Sequence, residues 1–188
     1  MKFLATIAII FLAAQSVISR PAEIIIIRHG EKPDEPKAQH LSSQGEERAK
    51  ALVGFFTKNS RATEHGLPVA LFASDPTHKG SGQRPRETLQ PLAKELRLSI
   101  QTPFESKDYA KLAELILKNS KYDGKTVVIC WVHEHMPPLA SALGVTPEPP
   151  KWKEQVYDEA YVITYPEGKA HLKIVPEKVL PGDSKHKE

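Results

Sequence analysis

Two arginines and two histidines stand where they could do chemistry together in this chain of 188 residues. Arg28 and His29 follow the apolar run at 23–27. Arg84 follows the run at 69–73 and a polar loop. His133 follows the run at 126–132. If these runs are parallel strands, their C-terminal ends share one edge, the edge at which open α/β sheets bind ligands. Two guanidiniums and two imidazoles around one point make a site for a dianion. Arginine forks match phosphate oxygens bidentately, and helix N-termini beside them add donors. An imidazole with an ordinary pKa of about 6.5 is unprotonated near neutral pH and can attack phosphorus, while a second imidazole donates to a phosphoryl oxygen. A covalent route splits one difficult displacement into two easier ones, and surrounding positive groups stabilise the charge of the transition state. The chemistry is phosphoryl transfer, and it calls for no metal and no other cofactor.

The elements that must position these residues alternate. Runs rich in β-branched residues at 23–27, 69–73, 98–101 and 126–132 are separated by stretches of helical period, the pattern of βαβ units around a mostly parallel sheet. Ser42 or Ser43 can cap a helix running to about Asn59. A helix is expected over 85–96, strained or divided by Pro91. Residues 108–118 put Leu112, Leu115 and Ile116 on one face, and another helix starts at Pro138. Two runs flank Pro166-Glu167-Gly168 as a hairpin.

The same residues resemble a known family. Arg28-His29-Gly30-Glu31 is similar to the RHG(E) signature of the histidine phosphatase superfamily, also called phosphoglycerate mutase-like. The stretch from Leu41 through Ser42, Ser43, Gln44 and Gly45 to Arg48 and Ala49 resembles its L-T-x-x-G-x-x-Q-A element. Arg84-Pro85-Arg86-Glu87-Thr88 resembles its R-A-x-x-T element. His133 with Pro138-Leu139 resembles its G-H-x-x-x-x-P-x-L element. The resemblance spans roughly residues 24–144, and four elements in order are far more specific than a lone RHG. It implies a three-layer α/β/α sandwich, His29 as the residue that becomes phosphorylated, and Arg28, Arg84 and His133 completing the phosphate pocket. It also implies a general acid, either Glu105 after the third strand, which is preferred, or Glu134 beside His133. Some members manage without one. The chain departs from the pattern in two places: Ser74 and Arg84 are separated by a long loop carrying His78, Lys79 and Ser81, and Val132 replaces the glycine expected before the second histidine.

Composition bounds the alternatives. A hydrophobic content of 40%, a charged content of 26% and a net charge of +3 describe one globular domain, and no basic stripe points to nucleic acid. Residues 1–19 read as a signal peptide, too short in its apolar run for a membrane span of about 20 residues. The expected organisation is therefore a leader, a domain over 20–179 and a polar tail over 180–188. The mature protein would be secreted or periplasmic and not membrane-inserted. Cys130 is expected to be a buried strand residue. Trp131, Trp152, Tyr157 and Tyr161 are read as core aromatics, with a pocket wall as the other reading. The expected activity is hydrolysis of a phosphomonoester, carried by a small molecule or a phosphoprotein. The rivals are a mutase-like phosphotransferase, a non-catalytic phosphate-binding module, and a metal hydrolase built on His133 and His135, which would face the same way if they lay on a strand.

Overall fold

The computed structural model describes residues 20–35, 38–58, 64–77 and 82–183. The expected leader, the loop residues His78, Lys79 and Ser81, and residues 184–188 of the tail lie outside the described residues. Among the described residues, six strands, β1 (Glu23–Arg28), β2 (Pro68–Ala73), β3 (Ile100–Gln101), β4 (Thr126–Trp131), β5 (Glu159–Thr164) and β6 (His171–Pro176), form one sheet in the order β3-β2-β4-β1-β5-β6. The first four strands are mutually parallel. β5 runs antiparallel to β1, and β6 pairs antiparallel with β5 as the expected hairpin.

Among the described residues, four α-helices cover the sheet: α1 (Ser43–Lys58), α2 (Arg84–Leu96), α3 (Tyr109–Lys118) and α4 (Met136–Ala142). Alternation along β1 divides the core. Ile25 and Ile27 pack with Leu52, Phe55 and Phe56 of α1 and Leu89 and Leu92 of α2. Ile24 and Ile26 pack on the other face with Leu112 and Ile116 of α3 and Leu139 of α4. Both faces of the parallel strands are thus covered, which is why these runs are apolar at every position instead of every second one. The result is the three-layer α/β/α sandwich expected. Cys130 is fully buried on the α1/α2 face.

Several boundaries move for identifiable reasons. Helix α2 begins at Arg84 itself and runs unbroken through Pro91, whose ring removes one internal hydrogen bond without dividing the helix. The third strand shrinks to Ile100–Gln101. Arg97 closes α2 in the left-handed region at φ 54°, and Leu98 spends its N–H on the Ala93 carbonyl at 2.9 Å. Helix α4 starts two residues early, with Pro137 and Pro138 in its first turn, where their missing N–H groups are not needed. Ser42, not Ser43, caps α1, its Oγ accepting from the Gly45 N–H at 3.1 Å. The start of the expected tail is not loose: Asp183 accepts from the N–H groups of Val179 and Leu180 and from Arg48. Among the described residues, no helix is long and apolar enough to cross a membrane.

Candidate active site

Arg28 is the last residue of β1 and His29 the next, and both are almost fully enclosed at 1% and 3% exposure. The His29 N–H still donates to the Trp131 carbonyl at 3.2 Å, so β4 fixes the backbone of the histidine. Gly30 follows, with its N–H donating to Thr88 Oγ1 at 2.9 Å. Helix α1 docks directly on this segment. A Cβ on Gly30 would lie 2.8 Å from the Gly45 carbonyl oxygen, and a Cβ on Gly45 would lie 2.5 Å from the Glu31 carbonyl oxygen. Two glycines are required because backbone meets backbone there.

The orientation of His29 decides what it can do. Its Nδ1 lies 2.7 Å from the Gly30 carbonyl oxygen. A carbonyl only accepts, so Nδ1 carries the proton and Nε2 the free lone pair. Burial, and then the charges of Arg28, Arg84 and His133, depress the pKa of the ring to about 3, against the opposing pull of the Gly30 carbonyl. His29 is therefore a neutral imidazole at physiological pH, with the Nε2 lone pair free of a proton.

Arg28 is held on one side only. Nη1 donates to the carbonyls of Glu154 and, at 2.9 Å, Val156. The guanidinium carbon sits 3.7 Å from the centre of the Tyr157 ring. Its Nε and Nη2 are buried without a partner among the described residues. These two atoms form one edge of the guanidinium, the fork that grips two oxygens of an oxyanion. Arg84, at the N-terminus of α2, repeats the pattern: Nη1 donates to the Ala38 carbonyl at 2.5 Å while the buried Nε is unpartnered. Buried donors left open in this way carry a desolvation cost that a bound anion removes.

His133 stands in a turn of 3-10 helix, His133–His135, after β4, half-buried. Burial and the Arg28 charge lower its pKa, and Glu134 and Glu154 oppose the shift. The turn undoes the premise of a metal pair. His135 is not on a strand beside His133; its ring stacks near Tyr109, 5.7 Å between centres. Among the described residues, no cluster of three or more His, Cys, Asp or Glu side chains is arranged to hold a metal ion.

The structure thus brings Arg28, His29, Arg84 and His133 within electrostatic reach of one another. The two acid candidates are less central. Glu105 precedes the 3-10 turn Ser106–Asp108 and pairs with Lys107 at 3.1 Å. Glu134 is exposed on the His133 turn. Glu31 pairs with the buried Arg48, whose guanidinium also takes Glu177 and Asp183.

A cleft of about 1270 Å³ opens beside these groups, with Lys32, Glu35, Ser42, Arg84, Glu154 and Tyr157 among its walls; of Arg28, His29, Arg84 and His133, it is Arg84 that lines it. Sequence reasoning missed Glu154, which reaches Lys32 at 2.6 Å across the cleft and acts electrostatically on His133 and Arg28. Its loop carries no motif, and only its nearness to β5 could have hinted at a role. Tyr157 proves to be the wall residue, while Trp131, Trp152 and Tyr161 are core.

No protein-family model matches the sequence, and no curated protein matches it. Solved structures do match. One is a phosphoserine phosphatase from Entamoeba histolytica in complex with phosphoserine, with 16% identity, 85% of this chain and 99% of that chain covered and a TM-score of 0.56. Another is the alpha-ribazole phosphatase from Shigella flexneri, with 13% identity, 86% and 100% covered and a TM-score of 0.55. A third is a mycobacterial glucosyl-3-phosphoglycerate phosphatase in complex with inorganic phosphate, with 14% identity, 85% and 100% covered and a TM-score of 0.53. At these identities the likeness is one of fold. The chain shares the fold of these three phosphatases, the α/β/α sandwich that its motifs led one to expect.

Proposed function

We propose that the chain is a phosphatase that hydrolyses phosphomonoesters through a phosphohistidine on His29. The observation that carries this reading is the state of His29: buried, neutral, its Nδ1 proton engaged by Gly30 and its Nε2 lone pair left for attack. Nε2 attacks phosphorus, a P–N bond forms, the ester P–O bond breaks, and the leaving oxygen takes a proton. Water then attacks the phosphohistidine, releasing inorganic phosphate and restoring the imidazole. The open N–H groups of Arg28 and Arg84 grip the phosphoryl oxygens as charge develops, and His133 donates to another. A dianion in this pocket raises the proton affinity of His133, so the group that is neutral at rest gains a donor proton when substrate binds.

The leaving group's proton has two candidate sources, Glu105 and Glu134; the Glu154 carboxyl, held below its ordinary range by the Lys32 ammonium, is not one. An aryl phosphate leaves as a stabilised phenolate and needs little help; an alkyl phosphate needs more. The true acid, replaced by glutamine, slows the alkyl substrate far more than the aryl one. The substrate is a small phosphorylated molecule or a phosphoprotein. Export to a secreted or periplasmic location rests on the apolar leader at 1–19, and N-terminal sequencing of the mature protein tests it.

The test of the reading is hydrolysis of a generic aryl phosphate in the presence of EDTA, with trapping of an acid-labile phosphoenzyme. His29→Ala is expected to abolish both. Turnover that survives this substitution rules the mechanism out. Phosphate or vanadate binding without turnover in the parent chain favours a binding module, and loss of activity with chelator favours a metal hydrolase.

A further inference from the structure

We propose that Tyr157 is a positioning residue for the phosphate clamp, fixing the Arg28 guanidinium so that only its Nε–Nη2 edge is left for the anion. This inference deepens the phosphatase reading and rests on it.

A guanidinium is a flat plate that can turn in its own plane and tilt out of it. In-plane rotation is stopped at Nη1, which donates to the carbonyls of both Glu154 and Val156. Tilt is stopped by the Tyr157 ring, stacked 3.7 Å from the guanidinium carbon. The carbonyl of Val156 also accepts from Trp152 Nε1 at 2.9 Å, and Trp152 packs on Tyr161 of β5, 4.9 Å between ring centres. The 154–157 segment is thereby anchored to the core and is not a free loop. The Tyr157 ring also lies 6.3 Å from the His29 ring, tilted by 59°, and the residue forms part of the cleft wall. One side chain therefore borders the clamp, the nucleophile and the cleft.

The ring face attracts the cation without spending any of its N–H groups. A carboxylate in the same place would hold Arg28 by the fork that the phosphate needs. Tyr157 thus preorganises the charge while leaving its donors open, and displacing a reacting group by about 1 Å can cost as much as 10²-fold in rate.

The experiment compares Tyr157→Phe, which keeps the ring face, with Tyr157→Leu, which removes it, and with Tyr157→Met as a second non-aromatic variant if the leucine protein does not fold. Inorganic phosphate and vanadate binding are measured by calorimetry, and kcat and KM on an aryl phosphate are determined beside them. The expected result is near-parent behaviour for phenylalanine. For leucine or methionine, phosphate and vanadate affinity fall about 10-fold and kcat/KM falls by 10- to 100-fold. In an Arg28→Lys background the leucine substitution adds nothing further. If the parent binds both anions and the non-aromatic variants bind them equally well, the positioning role is wrong and the phosphatase reading stands. If phenylalanine loses as much as leucine, the hydroxyl and not the ring face matters, and the proposal is likewise overturned. If the parent binds neither anion and turns nothing over, the phosphatase reading falls and takes this inference with it.

Discussion

The N–H of Gly30 donates to the Oγ1 of Thr88 at 2.9 Å, and the same hydroxyl donates to the Arg84 carbonyl at 2.8 Å. A single hydroxyl thus fastens the His29-Gly30 segment to the helix turn that carries Arg84. Thr88 is almost completely buried, so neither bond has water as a substitute.

Replacing Thr88 by valine keeps the shape and removes the acceptor. A buried Gly30 N–H is left alone, at a cost of about 1–3 kcal/mol. Urea unfolding is expected to show that loss for Thr88→Val and to show most of it recovered in Thr88→Ser. Turnover is expected to follow the same order. Equal stability of valine and parent proteins would count against the bond.

Gly45→Ala is expected to be worse than its single methyl suggests. The new Cβ would meet the Glu31 carbonyl oxygen at 2.5 Å and the Glu31 nitrogen at 2.9 Å, both backbone atoms that cannot swing aside. Overpacking of this kind costs about 1–3 kcal/mol. Because Glu31 lies two residues from His29, activity should fall along with melting temperature. Gly54→Ala, with open space around its Cβ, serves as the control and should be neutral or slightly stabilising.

Burial pushes the Glu177 carboxyl well above its ordinary value of 4.5, with Arg48 opposing and Asp183 and Asp158 adding to the rise. A carboxyl whose folded pKa exceeds its unfolded one contributes stability that is fully present below the unfolded value and is lost as pH rises through the folded one. Glu177→Gln escapes that loss. It is expected to lose less stability than the parent as pH rises from 4 to 8, with the difference between the two closing below about pH 4.5. Urea titrations at pH 4, 6 and 8 measure the difference. A gap that does not change with pH, or one that moves in favour of glutamate towards pH 8, contradicts the assignment.

The neutral state of His29 can be seen without substrate. Nitrogen-15 NMR of the imidazoles is expected to show His29 as the Nδ1-protonated neutral tautomer at pH 7.5 and unchanged at pH 5, in keeping with a pKa of about 3. A histidine of ordinary pKa near 6.5 would be about 97% protonated at pH 5. Titration of the His29 signal between pH 5 and 7.5 would show that the ring is not shielded as described.

The sequence made much of this architecture legible, and its failures have a common cause. Residues 23–27 announced a strand because burial on both faces leaves no room for a polar residue. Arg28, His29, Arg84 and His133 were findable because each abuts a strand or helix end, so topology alone gathers them. Glu154 and Arg48 were not, and Tyr157 was legible only as one of four aromatics that could wall a pocket. The hold on Arg28 comes from two carbonyls and a ring face supplied by a loop without periodicity. Arg48 stood in a resemblance where the pattern has glutamine, and nothing local shows that it gathers Glu31, Glu177 and Asp183 from three places in the chain. Main-chain acceptors and long-range ion pairs leave no trace in spacing.

The strand order has a consequence for how the protein comes into being. β4 lies between β2 and β1, pairing in parallel with both, so that Ile129 neighbours Ile26 on one side and Phe72 on the other. A chain emerging from the ribosome has His29, Arg28 and Arg84 long before it has the strand that joins the two halves of the sheet. Pairings this distant in sequence form late and slowly. The nascent polypeptide therefore carries these groups unassembled: they share one edge only after β4 has joined the two halves of the sheet and the later 154–157 segment has closed on Arg28.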